Sequence, residues 1–437
     1  MTDRPRGRHA RPDTHVDDAP SPRPARPSAA SAALAEASEA ADTAVSHAPA
    51  PVAAPSSARV SQKPTPIAAY TTFRVGGPAA STVVATTRDQ LVDAVRNTWR
   101  AHDEPLLIGG GSNSLVSDDG FDGTLIRVAT SGIERVTADV PEGVVRLRVE
   151  AGESWDGLVA HAVEHGWAGI EALSGIPGSC GAAPIQNIGA YGQELESVLV
   201  AVDLLDRDTH EVTRVPAGEL GLGYRTSTLK RHSGDEPERD AVVLGIEIDL
   251  RDNGGLSEPI AYAQLAFSLG VELGERLSVA QVRKTVLALR ASKGMVWDAS
   301  DPDTWSAGSF FTNPVVAESF ARTLPERAPR WPVDSDDDAV TVIPLDEFTG
   351  QIQRPAPREA QVKLSAAWLI ENAGVHRGFQ LPGSHAAISS KHTLALTNRG
   401  GASADEIAEL ARYVQARVQS EFGVILQPEP VLVGVEI

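Results

Sequence analysis

One cysteine, Cys180, stands in the 437 residues of this chain. An intramolecular disulfide is therefore excluded, as is a zinc site built from several thiolates, and a reducing compartment fits. No apolar run is long enough to cross a bilayer, and the first stretch lacks the apolar core of a secretory signal, so a soluble cytoplasmic protein is expected. Positive charge is also scarce: 39 Lys and Arg stand against 58 Asp and Glu, a formal net charge of −19. That balance argues against nucleic acid or an anionic membrane as a partner. An anionic small molecule must be drawn in by local cations, for which Arg225, Arg290, Lys293 and Arg377 are candidates. His376, His385 and His392 lack tight metal-ligand spacing, and the acidic run at Asp334, Asp336, Asp337 and Asp338 reads as a solvated loop, so no metal is expected. Nothing in the pattern calls for an obligate protein partner.

Large apolar residues are nearly missing from residues 1–62, which are rich in Ala, Pro, Ser, Arg and Asp. Such a segment has no core to build and is expected to be a disordered tail over 1–64. A later start, at a codon such as that of Val60, stands beside that reading. From residue 65 the pattern changes. Short strands are expected at 70–75, 81–85 and 105–108, with an amphipathic helix over 89–100 on the spacing of Leu91, Val92, Val95 and Trp99. Further strands are expected at 125–128, 144–151, 198–206 and 242–250. A helix over 154–165 with Ser154 as N-cap falls among them. The last part, 295–437, reads as a separate α+β domain closing with a helix over 404–422 and a strand. Within it, 328–359 is acidic and proline-bearing and is expected to be a surface insertion.

Two glycine-rich segments carry the chemistry. GIPGSCGAAPIQNIGAYG, from Gly175 to Gly192, has neither helical nor strand period, yet Ile176, Ile185 and Ile188 sit among its glycines as if it packed inward. Such a loop admits close approach of a large flat ligand, with Gln186, Asn187 and Tyr191 as specific hydrogen-bonding groups. Gly109, Gly110 and Gly111 follow the strand at 105–108, but Ser112, Asn113 and Ser114 lead straight back into a strand. No helix opens there and no Gly-Lys-Ser/Thr follows, so the Rossmann and P-loop readings both fail; an anion nest of backbone N–H groups remains. Cys180 lies in the first loop without an adjacent base and is read as a small buried hydrophobe.

The first loop, together with YTTFRVGG from Tyr70, LLIGGGSNSLV from Leu106, GYRTS from Gly223, AGSFFTNP from Ala307 and LQPEP from Leu426, resembles the UDP-N-acetylenolpyruvoylglucosamine reductase family. The matches come in order and span nearly everything outside the tail. The resemblance implies an α+β chain. Its bipartite FAD-binding fold, of the vanillyl-alcohol-oxidase/PCMH type, would divide at 65–130 and 131–294, with a C-terminal α+β substrate domain over 295–437. It implies FAD, held non-covalently, and NADPH as cofactors, and UDP-N-acetylglucosamine enolpyruvate as the substrate reduced to UDP-N-acetylmuramate for peptidoglycan. Residues matching flavin contacts are Gly109, Gly110, Gly111, Ser112, Asn113, Ser114, Ile176, Gly178, Gly181, Ala182, Ala183, Gln186, Ile188, Gly189, Tyr191 and Arg290. Tyr262, on a loop and small subdomain over about 253–281 that would close on the substrate, Lys293, Asn313 and Gln380 match substrate contacts.

Reducing an enolpyruvyl ether needs a hydride at one vinyl carbon and a proton at the next, through a carbanion delocalised into the carboxylate. The resemblance makes Ser309 the proton donor and Arg225 and Glu429 its electrostatic partners. A serine hydroxyl is a weak acid, so that role requires a dry site with charged neighbours. Ala182 and Ala183 stand where other members often carry hydroxyl residues, leaving backbone groups to meet the flavin. Gln427 replaces an acidic residue of some members, so Glu429 is the one carboxylate of its motif. Two rivals share the glycine loops: an oxidase or dehydrogenase on the same flavin scaffold, and a flavin-holding sensor without turnover. GYRTS and AGSFFTNP discriminate against the first, and anaerobic turnover against the second.

Overall fold

The computed structural model describes residues 59–61, 65–231, 237–333 and 360–437. Most of the expected tail, and the acidic stretch 334–359, lie outside these. A strand β1, Arg59–Ser61, nevertheless falls within the range expected to be disordered and pairs antiparallel with β2, Ala79–Ala85. Helix α1, Arg88–Arg100, begins where Thr87 accepts from the Gln90 N–H, and it buries Leu91, Val92, Val95 and Trp99 along one face. Burial of each of these side chains contributes about 1.5–3 kcal/mol. Strands β3, Leu106–Ile108, and β5, Phe121–Val128, join β2 in parallel, giving the order β1-β2-β5-β3.

Between β3 and β5 lies β4, Ser114–Val116, which takes a different partner described below. The strand expected at 70–75 is not one. Ile67–Tyr70 is a 3-10 turn, and the loop after it carries Arg74 at φ 58. Its polar groups are used elsewhere: Thr72 Oγ1 donates to Ser306 O at 2.6 Å, and Asn398 Nδ2 donates to Phe73 O at 2.9 Å. Phe73 and Val75 are buried, and the Arg74 guanidinium stacks over Trp305 at 4.1 Å. A period-2 pattern here served ties to the far end of the chain.

The second unit is an antiparallel sheet. Its path runs Val212–Pro216, Leu199–Asp206, Ala241–Asp252, β7 (Val144–Glu150), β6 (Ile133–Val136). Along β7, Val145, Leu147 and Val149 are buried, while Arg146 and Arg148 on the other face reach across to Asp249 at 2.7 Å and Glu247 at 3.1 Å. Helix α2, Trp155–Glu164, is capped by Ser154, which accepts from Gly157 N–H, and buries Trp155, Leu158, Val159 and Ala162. After the sheet come α3, Ala263–Leu269, and α4, Val279–Ser292. Ile260, Leu265 and Ala266 pack there on Val282, Val286 and Leu289.

In the C-terminal part, Gln361–Leu364 lies between Val315–Ala317 and Arg330–Val333, so the range expected to be an insertion, 328–359, begins with a strand of this sheet. Helices α5, Glu318–Ala321, and α6, Ala366–Asn372, precede α7, Ala404–Phe422. The last begins with a capping box between Ser403 and Glu406 and ends at Gly423 with φ 68. Its buried stripe, from Ile407 to Val418, shares one core with Phe310 and Phe311, and also with Phe73, Val75 and Leu115 of the first unit. The final strand, Val431–Val433, pairs in parallel with β4, Val431 opposite Ser114. A division at 294/295 therefore follows the chain but not the packing.

Candidate active site

The two glycine segments meet backbone to backbone. A Cβ on Gly110 would stand 2.5 Å from Gly178 Cα, one on Gly109 2.2 Å from Ser179 Oγ, and one on Gly111, at φ 60, 1.8 Å from Tyr70 O. Ser112 Oγ donates to Pro177 O at 2.9 Å across the same seam. The glycines are thus demanded first by the meeting of the two loops. The main-chain N–H groups of Gly110, Gly111, Ser112 and Asn113 donate to no acceptor among the described residues. Unsatisfied amides gathered in one turn form an anion site.

These loops wall a cavity of ≈ 1770 Å³, well beyond the roughly 300–1,000 Å³ of a drug-sized pocket. Every residue matched to the flavin lines it except Gly181 and Tyr191. Gly181 has another duty: its N–H donates to Ala151 O at 2.7 Å, and a Cβ would come 2.6 Å from Ala151 Cβ. Tyr191 stands edge-on to Tyr262, ring centroids 5.8 Å apart. Ala182 and Ala183 line the cavity, and their own N–H groups donate to Ser179 O and Cys180 O. Cys180 is fully buried, and burial pushes its thiol well above the ordinary range, as suits an inert hydrophobe. Arg290, at the end of α4, donates from Nη2 to Met295 O at 3.1 Å, while its buried Nε has no partner among the described residues. Burial lowers its pKa, against the pull of Tyr191 and Asp156. An orphaned donor, a row of free amides and a cavity this large fit a flavin dinucleotide.

Opposite the loops, AGSFFTNP and LQPEP run antiparallel. Glu429 N–H donates to Phe310 O at 2.9 Å, and Thr312 N–H donates to Gln427 O at 3.0 Å. Val431 N–H donates to Asn113 O at 2.9 Å, and Asn113 Nδ2 donates to Gln186 Oε1 at 3.1 Å and Glu429 O at 3.3 Å. Arg225, at φ 57, donates from Nη1 to Asn187 O at 3.1 Å and from Nη2 to Gly189 O at 2.6 Å. Its Nε lies 3.7 Å from Glu429 Oε1. Ser309, Arg225 and Glu429 all line the cavity, and Ser309 makes no hydrogen bond among the described residues. Burial pushes the Glu429 carboxyl up, opposed by Arg225 and Lys230.

The four residues matched to substrate divide. Asn313 lines the cavity, and its Oδ1 also accepts from Ala366 N–H at 3.0 Å, at the start of α6. Tyr262, Lys293 and Gln380 lie outside the lining. Tyr262 is 45% exposed, Lys293 Nζ donates to Gln264 Oε1 at 3.1 Å, and Gln380 Nε2 donates to Ser384 O. Lys293 and Arg377 face His392, which burial and these cations push down to about 4. Lys230 also lines the cavity, its Nζ donating to Arg225 O at 2.8 Å. It was missed, although a lysine five residues after Arg225 was a readable signal.

Comparison with known proteins decides the family. Residues 301–433 match the C-terminal domain model of UDP-N-acetylenolpyruvoylglucosamine reductase, and residues 79–214 match an FAD binding domain. A UDP-N-acetylenolpyruvoylglucosamine reductase of Leifsonia xyli subsp. xyli is 55% identical over 372 residues, covering 83% of this chain and 96% of the relative. The chain belongs to the UDP-N-acetylenolpyruvoylglucosamine reductase family. Another reductase of this name, from Saccharopolyspora erythraea, is 49% identical, with 82% and 92% covered. The crystal structure of a UDP-N-acetylenolpyruvylglucosamine reductase from Thermus caldophilus superposes with a TM-score of 0.53 at 25% identity, over 86% of this chain and 99% of that one. Within the reductase, the FAD-binding match holds both glycine loops, and the C-terminal match holds Ser309, Asn313, Gln380 and Glu429. The family and the fold class read from the motifs are borne out.

Proposed function

We propose that the chain reduces UDP-N-acetylglucosamine enolpyruvate to UDP-N-acetylmuramate in the cavity between the glycine loops and the paired AGSFFTNP and LQPEP segments. Free amides of Gly110 to Asn113 and the Arg290 guanidinium hold FAD there. Bound there, FAD would supply the hydride-transfer chemistry, with NADPH as the donor and the vinyl C3 of the second substrate as the acceptor. The protein does the rest. Arg225 holds the enolpyruvyl carboxylate, whose negative charge grows as the carbanion forms, and Ser309 Oγ delivers a proton to C2. Glu429 holds the Arg225 guanidinium in place and, with its neighbours, keeps the field around Ser309 fixed. Asn313, Lys293, Tyr262 and Gln380 bind the nucleotide sugar, the last three as the cavity closes. A cytoplasmic enzyme suits the lone buried thiol; among the described residues no helix is long and apolar enough to cross a membrane.

The observation supporting this reading best is the hydrogen bond from Glu429 N–H to Phe310 O, which ties the LQPEP segment to the AGSFFTNP segment at the cavity that Ser309, Arg225 and Glu429 all line. Anaerobic titration tests it. Purified protein should be yellow, bleach with NADPH, and regain its colour on adding the enolpyruvyl sugar nucleotide, with the lactyl ether as product. Bleaching without recovery would sink the proposed reaction.

A further inference from the structure

We propose that Lys230 is a positioning residue of this site: it anchors the Arg225 peptide and offsets the charge of Glu429, leaving the Arg225 guanidinium uncompensated toward the substrate carboxylate. The inference rests on the function proposed above. Geometry supplies the first half. Lys230 Nζ donates to Arg225 O at 2.8 Å, and Arg225 sits at φ 57, a left-handed conformation that a non-glycine residue keeps only when its surroundings hold it. The turn around it is closed by Gly223 N–H to Thr226 O at 3.1 Å and Thr226 N–H to Gly223 O at 3.3 Å. Lys230 clamps the Arg225 carbonyl, which these two bonds do not use.

Charge supplies the second half. Arg225 Nε is 3.7 Å from Glu429 Oε1, so that pair alone is neutral. A neutral pair offers little to an enolpyruvyl carboxylate, and less to the carbanion form that carries a second negative charge. With Lys230 the three side chains hold two positive charges and one negative, a net charge of +1 at the reacting end. The charged groups facing Lys230 are Glu429, from the segment after α7, and Arg225, from its own turn. Burial lowers the pKa of this ammonium and Glu429 holds it up, so the two sustain each other's charge in a site shielded from water.

The test uses flavin-loaded Lys230→Met, Lys230→Gln and Lys230→Arg beside the wild type. In the Met and Gln variants, NADPH should bleach the flavin at the wild-type rate while reoxidation by the enolpyruvyl substrate slows about 10²-fold, with Lys230→Arg recovering most of it. Without the ammonium, Glu429 takes up its proton at higher pH, so the acid limb of reoxidation should move upward in the Met and Gln variants. By calorimetry, both should bind the enolpyruvyl substrate about tenfold more weakly, yet bind UDP-N-acetylglucosamine, which has no carboxylate, like wild type. Wild-type reoxidation in Lys230→Gln overturns the charge argument. Equal losses in both half-reactions and for both ligands mean a merely structural lysine and overturn the proposal. A wild type that bleaches but is never reoxidised overturns the reaction itself, and is seen before any variant is made.

Discussion

A side chain on Gly110 would stand 2.5 Å from the Cα of Gly178, so the two glycine loops that wall the cavity touch through their backbones. Neither partner has a flexible end that can give way.

Gly110→Ala should therefore separate the loops and loosen the amide row above them. We expect a stability loss of about 1–3 kcal/mol and protein purified with little flavin, measured as flavin absorbance per polypeptide. Gly218→Ala is the control. Its Cβ meets nothing within 4 Å, and it should purify as yellow as wild type.

Ser309→Ala separates the two half-reactions. The hydroxyl lines the cavity and is unengaged by other protein groups among the described residues, so nothing structural is lost with it. NADPH should still bleach the flavin at near-normal speed, whereas stopped-flow reoxidation should slow by about 10²–10⁴-fold. Rapid reoxidation would remove Ser309 from the proton transfer.

Glu429→Gln tests the buried carboxyl. Burial raises the Glu429 pKa above its unfolded value despite Arg225 and Lys230, so the folded state holds this proton more tightly. Stability from this group is thus present below the unfolded carboxylate pKa and is lost as pH rises through the folded one. The variant should melt no lower than wild type at neutral pH, with any advantage fading toward acid, while turnover falls by about 10²-fold. A large loss of melting temperature at neutral pH contradicts this.

His392 sets an acid limit on the fold. Its folded pKa is about 4 against 6.5 for the free group, through burial and then Lys293 and Arg377, so the unfolded chain takes the proton first. Falling pH between those values favours unfolding, by up to about 3 kcal/mol. Urea unfolding of His392→Gln across that window should lack this part of the acid loss. Parallel pH curves for variant and wild type would show that His392 does not carry it.

Local pattern was legible wherever neighbours along the chain decide the outcome. Helix α1 followed from its apolar spacing, α2 from its Ser154 cap and α7 from its stripe, because caps and amphipathic faces are set within a few residues. Residues 70–75 read as a strand, but two of their hydrogen bonds tie them to Ser306 and Asn398, more than two hundred residues away. Gly181 likewise read as a flavin contact, yet its missing Cβ is required by Ala151.

By itself the sequence determined the family and the FAD chemistry, and it offered Ser309, Arg225 and Glu429 as candidates for the reacting end, since ordered motifs keep residue types whatever their distance apart. Only the tertiary structure decided how those three share one wall. The pairing of Val431–Val433 with β4, the Glu429–Phe310 hydrogen bond and the approach of Glu429 to Arg225 join segments far apart in the chain. Contacts of that kind are specified by the packing of the whole molecule, and no local period records them.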